Sequence, residues 1–145
     1  MKARLLQLTN GSIGAIATDG NMPLGITTVI YPGCDCQCQT YSITSSTSDT
    51  LVINRAGTYQ LIYNASLVAT AAGNIVLALK LNGVTKYTVT VTATAAGTVN
   101  VTIPYELYIP CNCCSNPTNV PAYVQIQSTG VAITSGTSNL IVDKE

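Results

Sequence analysis

Between Thr58 and Tyr105 the apolar residues recur at every second position, and the chain reverses at glycine-bearing tripeptides and dipeptides. A period of two places alternate side chains on opposite faces of an extended chain, so this stretch reads as successive β-strands. Tyr59, Leu61, Tyr63, Ala65 and Leu67 share one face of the first run, and Gln60, Ile62, Asn64, Ser66 and Val68 share the other. Apolar groups on both faces suit a central strand whose second face is also covered. After Ala71-Ala72-Gly73, residues Ile75, Leu77, Leu79 and Leu81 alternate with Val76, Ala78 and Lys80, and Asn82-Gly83 follows directly. A two-residue hairpin turn needs positive φ at both central residues, which Asn-Gly supplies most readily. The return strand carries Tyr87, Val89 and Val91, Ala95-Ala96-Gly97 turns again, and Val99, Val101, Ile103 and Tyr105 follow. Pro104 is expected to limit that strand and Pro110 to end the region.

The flanks continue the theme. Ile26 to Tyr31, Thr40 to Thr44, Leu51 to Asn54, Tyr123 to Ser128 and Leu140 to Asp143 are short β-like runs, with turns expected at Thr129-Gly130 and Ser135-Gly136. Thr occurs 21 times and reinforces the β preference. No segment follows a 3.6-residue period. Eight to ten short strands separated by turns imply an all-β antiparallel sandwich spanning residues 26–145. Residues 1–25 contain Gly11, Gly14, Gly20, Gly25 and Pro23 and read as an extended N-terminal arm. Its Leu5, Leu6, Leu8, Ile13 and Ile16 would then dock on a neighbouring molecule, by ordering on binding or by strand addition. Lys2 and Arg4 precede an apolar pair, but Gln7 and Asn10 interrupt the run, so no signal peptide is expected and the chain reads as a cytoplasmic product.

Composition restricts the chemistry. Of 145 residues, 47% are apolar and 8% charged, and six basic residues balance six acidic ones. That charge distribution offers no footprint for nucleic acid or an anionic membrane. The chain has no His, so a cysteine nucleophile lacks its usual base and a metal its commonest ligand. Asp19, Asp35, Asp49, Glu106 and Asp143 are far apart and sit mostly at turns or ends, as solvated carboxylates do. An enzyme is not expected. A monomer with so few charges and a two-sided apolar strand would expose an unusually large apolar patch, which points to self-association.

The six cysteines fall in two short loops, Cys34, Cys36 and Cys38 after Pro32-Gly33, and Cys111, Cys113 and Cys114 after Pro110. Three readings stand side by side: disulfides formed after release from the cytoplasm, a structural zinc held by four thiolates, or free buried thiols. In each of the first two the loops form one local cluster that staples the same end of the sandwich.

Three segments carry a family resemblance: Ile53-Asn54-Arg55-Ala56-Gly57-Thr58-Tyr59-Gln60-Leu61-Ile62-Tyr63-Asn64, Leu77-Ala78-Leu79-Lys80-Leu81-Asn82-Gly83-Val84, and Gly136-Thr137-Ser138-Asn139-Leu140-Ile141-Val142. In order and spacing they resemble the trimeric jelly roll of tumour necrosis factor and complement globular heads, over roughly residues 40–143. The opening Lys2-Ala3-Arg4-Leu5-Leu6-Gln7-Leu8 and the cysteine-rich loops resemble small phage and prophage proteins. The resemblance implies a homotrimer whose three-fold axis meets the face bearing the Thr58–Val68 strand, which would place Tyr59, Tyr63 and Tyr105 at the subunit interface. It further implies a virion protein, made in the host cytoplasm without a signal peptide, that decorates a capsid or forms a head fibre and contacts a capsid or fibre protein. The alternative it leaves open is a carbohydrate- or receptor-binding head on a phage fibre or bacterial surface.

Overall fold

In the computed structural model, residues 3–30, 41–42, 49–53, 57–109 and 122–144 are described. They form ten strands: β1 (Ala3–Ile13), β2 (Ile26–Ile30), β3 (Tyr41–Ser42), β4 (Leu51–Ile53), β5 (Gly57–Ala69), β6 (Gly73–Leu81), β7 (Val84–Ala93), β8 (Gly97–Ile109), β9 (Ala122–Gly130) and β10 (Ile133–Lys144). One sheet has the order β2-β1-β10-β5-β8, and the second has the order β3-β4-β9-β6-β7. Every ladder is antiparallel, and from β5 to β10 the chain passes repeatedly between the sheets. The architecture is the antiparallel sandwich that the strand pattern implies, in the jelly-roll form that the family resemblance implies.

Alternation decides which side chains meet between the sheets. On β5, Tyr59, Leu61, Tyr63, Ala65, Leu67 and Ala69 are buried, and the intervening residues are only partly so. Ile75, Leu77 and Leu79 face them from β6 and Val124 and Ile126 from β9, while Leu140 and Val142 lie beside them on β10 of the same sheet. The hairpin at Asn82-Gly83 forms as expected, with φ of 51° and 81°. Asn82 also ties the turn to β9: its N–H donates to the Tyr123 carbonyl at 2.9 Å, and its Oδ1 accepts from the Tyr123 N–H at 2.8 Å.

Three expectations are corrected. The first concerns the N-terminal arm. Residues 3–13 are a strand inside the first sheet, paired with β10 on one side and β2 on the other. Leu8, Ile13 and Ile16 are buried in the chain's own core, and Leu5 and Leu6 lie on the same paired strand. Beyond Ile13 the chain crosses to the second sheet. Ile16 exchanges backbone hydrogen bonds with Ile133, and Asp19, Gly20 and Met22 bond to Ser128 and Ile126 of β9. Met22 and Leu24 enter the core on the way. The glycines mark close passage and not looseness: Gly25 has a φ of 91°, and a Cβ there would collide with the Thr9 backbone.

The second correction concerns Pro104. β8 runs through it to Ile109, with Pro104 opposite Ile62. Because β8 is the last strand of its sheet, one edge has no ladder to interrupt, and a proline is tolerated where its missing N–H would point outward. The third concerns Ser135-Gly136. It is not a turn but part of β10, just after a register shift between Ile133 and Ser135. Gly136 lies against the Ser66 carbonyl, so the glycine reports a close strand approach at this irregularity.

Candidate interaction surfaces

The strand parity that builds the core also relocates the expected subunit contact. Tyr59 and Tyr63 are 0% exposed within a single chain, so neither ring can touch a neighbour. The Lys144 ammonium lies 5.9 Å from the centre of the Tyr59 ring and covers it at the sheet's end. Burial pushes the Tyr63 phenol from 10.0 up to about 12, with the adjacent Ser138 hydroxyl acting in the opposite sense. Tyr63 Oη and Ser138 Oγ are both buried without a hydrogen-bond partner of good geometry. The face of β5 turned away from the core belongs instead to Gln60, Ile62, Asn64, Ser66 and Val68. A one-residue change of parity exchanges the two sets completely.

Tyr105 is placed differently. It points inward from β8, but β8 is an edge strand and the ring is only half-buried. Across from it, Tyr87 projects inward from β7, the edge strand of the second sheet, and is 38% exposed. The two rings are 6.3 Å apart and inclined by 50°, within the range of favourable aromatic pairs. Val89, Val91 and Val99, also at inward positions, are half-buried and pack on the core. The sandwich is therefore apolar and partly open along its β7–β8 side. Sequence reading missed Tyr87 as a surface residue. Its parity with Val89 and Val91 was legible, but neither the register shift that sets it opposite Leu79 nor the place of its strand at a sheet edge was. Tyr108, at 66% exposure, and Tyr123 are exposed outside this seam.

The outer face of the first sheet is the other distinctive surface. Across β1, β10, β5 and β8 the register aligns Gln7, Ile141, Ile62 and Pro104 in one row. The next row is Thr9, Asn139, Asn64 and Thr102, and beyond it lie Thr137, Ser66 and Asn100. The two polar rows line a shallow groove of about 640 Å³. Two side-chain bonds fix its amides: Gln7 Nε2 donates to Asn139 Oδ1 at 3.0 Å, and Thr102 Oγ1 donates to Asn64 Oδ1 at 2.8 Å. The sequence held this signal as Asn and Thr at outward parity, but the rows are assembled from strands more than a hundred residues apart.

All six cysteines, Cys34, Cys36, Cys38, Cys111, Cys113 and Cys114, lie outside the described residues, and so does their expected clustering. Among the described residues, no three Cys, Asp or Glu side chains gather in a metal-binding arrangement. No helix among the described residues is long and apolar enough to cross a membrane.

No family model matches the chain. No curated protein matches it by sequence either. Among solved structures, the vertex protein P5 of phage PRD1 superposes with a TM-score of 0.60 at 17% identity, covering 97% of this chain and 96% of that one. The globular domain of zebrafish complement 1qA superposes with a TM-score of 0.59 at 10% identity, covering 97% and 95%. At these identities the likeness is one of fold: this chain has the jelly roll shared by the phage vertex protein and the complement head, along essentially its whole length.

Proposed function

We propose that the chain is a non-enzymatic structural protein of a phage particle, assembled as a homotrimer that decorates the capsid or heads a fibre. The observation that carries self-association is the apolar seam on the β7–β8 side, where Tyr87, Tyr105 and three valines remain partly exposed in the single chain. A receiving surface of matching character is the half-buried Ile62 and Ile141 with Pro104 on the outer face of the first sheet. Seam and row are different patches, so the contact is heterologous, and such contacts close into rings when the rotation allows. Tyr105 keeps its place in the expected interface; Tyr59 and Tyr63 act only by supporting it from within. The virion assignment rests on the fold shared with a phage vertex protein and on the phage-like opening and cysteine loops. The absence of His and the scarcity of charge support a scaffold over a catalyst. In this reading the cysteine loops act as a staple, by disulfides or through zinc, and a capsid or fibre protein is the docking partner.

Light scattering on the purified chain tests the assembly: the wild type should run as a trimer, and Tyr87→Lys should dissociate it while retaining the β signature in far-ultraviolet circular dichroism. A Tyr87→Lys chain that stays trimeric removes the seam from the interface. Quantitative mass spectrometry of purified particles tests the location. A copy number close to that of the major capsid protein supports decoration, a few copies support a fibre head, and absence from the particle sinks the virion reading.

A further inference from the structure

We infer that the β7–β8 seam accepts a folded face and refuses an extended strand, and that Pro104 is the residue that bars the strand. The inference rests on the self-association proposed above, because it concerns how that same seam selects its partner. β8, with 13 residues, and β7, with 10, each end their sheet, so each has one side with no ladder among the described residues. A free row of backbone N–H and C=O groups is a template on which another chain can add a strand. The local sequence raises that hazard. Thr88-Val89-Thr90-Val91-Thr92 on β7 and Thr98-Val99-Asn100-Val101-Thr102 on β8 are uncharged, lack proline and favour β structure.

Hydrogen bonds at the far end of β5 fix which way each peptide group turns. The Thr70 N–H donates to the Ala132 carbonyl at 3.1 Å, and Thr134 Oγ1 donates to the Val68 carbonyl at 3.3 Å. Even-numbered residues of β5 therefore turn toward β10. The direction alternates along an antiparallel strand, so the odd-numbered residues bond to β8. The β5–β8 register runs without a shift and sets Ile62 opposite Pro104. That pair exchanges no hydrogen bond, and the Pro104 nitrogen faces the free edge. Thr102 and Glu106 share its parity and turn an N–H outward on either side of it. Proline has no N–H to offer, and its ring stands where an added strand would pass.

β7 is interrupted at the same level. Leu79 pairs with Tyr87 but Lys80 pairs with Thr85, which leaves Lys86 as an extra, exposed residue. A bulge breaks the even spacing an added strand needs, and a lysine on an edge opposes pairing. The Tyr87 and Tyr105 rings, 6.3 Å apart, show that the two interruptions stand beside each other across the seam. The side chains of the seam remain available, because they need only an apolar surface opposite them. A second copy supplies one in Ile62, Ile141 and Pro104, on the face of a folded sheet. The guard acts before assembly, while the seam is still open.

The test refolds the full-length chain from urea, so that every molecule starts unassembled, and follows the products by sedimentation velocity and thioflavin T fluorescence. Wild type should give the trimer and no thioflavin signal. Pro104→Val restores the N–H on the free edge. It should divert chains, increasingly with protein concentration, into thioflavin-positive species larger than a trimer. Pro104→Ala restores the same N–H with a weaker β preference and should do so to a smaller extent; it decides the matter if the valine variant does not fold. Thr102→Val adds a β-branched apolar side chain to the same outer face and keeps the proline, so it should refold as wild type does. Proline variants that refold only to the wild-type species overturn the inference. Polymerisation of Thr102→Val to the same extent also overturns it, because the missing N–H is then not the cause. A monomeric wild type would remove the trimer, yet comparison of the Pro104 variants with it would still decide the guard. The two failures are therefore told apart.

Discussion

Replacing Tyr63 by Phe should stabilise this protein, and increasingly so in alkali. The Tyr63 hydroxyl lies in the core, and neither it nor Ser138 Oγ has a hydrogen-bond partner of good geometry. A buried hydroxyl in that position forfeits about 1–3 kcal/mol of hydration without repayment. Phe keeps the ring and its contacts with the core, so a net gain of about 1 kcal/mol is expected near neutral pH. The pH dependence follows from the shift from 10.0 in the unfolded chain to about 12 in the folded one. Between those values the unfolded chain releases the phenolic proton and the folded chain retains it, so stability falls as pH rises. The contribution is intact below pH 10 and lost through pH 12, amounting to roughly 3 kcal/mol over the two units. The Phe variant lacks this loss. Urea denaturation at one protein concentration, followed by circular dichroism at several pH values, measures the difference between variant and wild type. It should widen by about 1 kcal/mol between pH 8 and pH 11. A variant less stable than wild type at pH 8, with a difference that stays flat towards pH 11, would refute the reasoning and show that the hydroxyl is satisfied in the fold.

Further outcomes follow from the same packing. Leu8→Ala should cost about 2–5 kcal/mol in urea denaturation, because Leu8 is a core residue of a central strand; a neutral effect would restore the N-terminal segment to a mere arm. Gly25→Ala should destabilise by about 1–3 kcal/mol through positive φ and collision with the Thr9 backbone, read as a lowered melting temperature; an unchanged melt would show that this crossing relaxes freely. For the cysteine loops, reductant should lower the melting temperature if disulfides form the staple, and a chelator should do so if zinc does. A melt indifferent to both leaves the thiols free and removes the staple.

The parts of the fold that were legible in the sequence are those whose partners are close in the chain. The β6–β7 hairpin is specified by two alternating runs and Asn82-Gly83, and it forms there, with a register shift between Leu79 and Lys80 that brings Tyr87, and not Lys86, opposite Leu79. β1 fails the same local test, because its pairing with β10 joins residues such as Gln7 and Ile141, and glycine spacing alone reads as looseness. Pro104 and Ser135-Gly136 are breaker signals that tertiary context overrides, at a sheet edge and at a strand irregularity. Tyr59 and Tyr63 show a different limit. Both faces of β5 carry apolar groups in the sequence, and only the covering sheet settles which one is the core. For the same reason the seam at Tyr87 and Tyr105 was half visible: the residues were there, but not the fact that their two strands end their sheets side by side.

Sedimentation equilibrium of the purified chain at micromolar concentration tests the central claim most directly. The account predicts a single species of three times the 15.1 kDa chain mass. A species of one chain mass, persisting as concentration is raised, would contradict it.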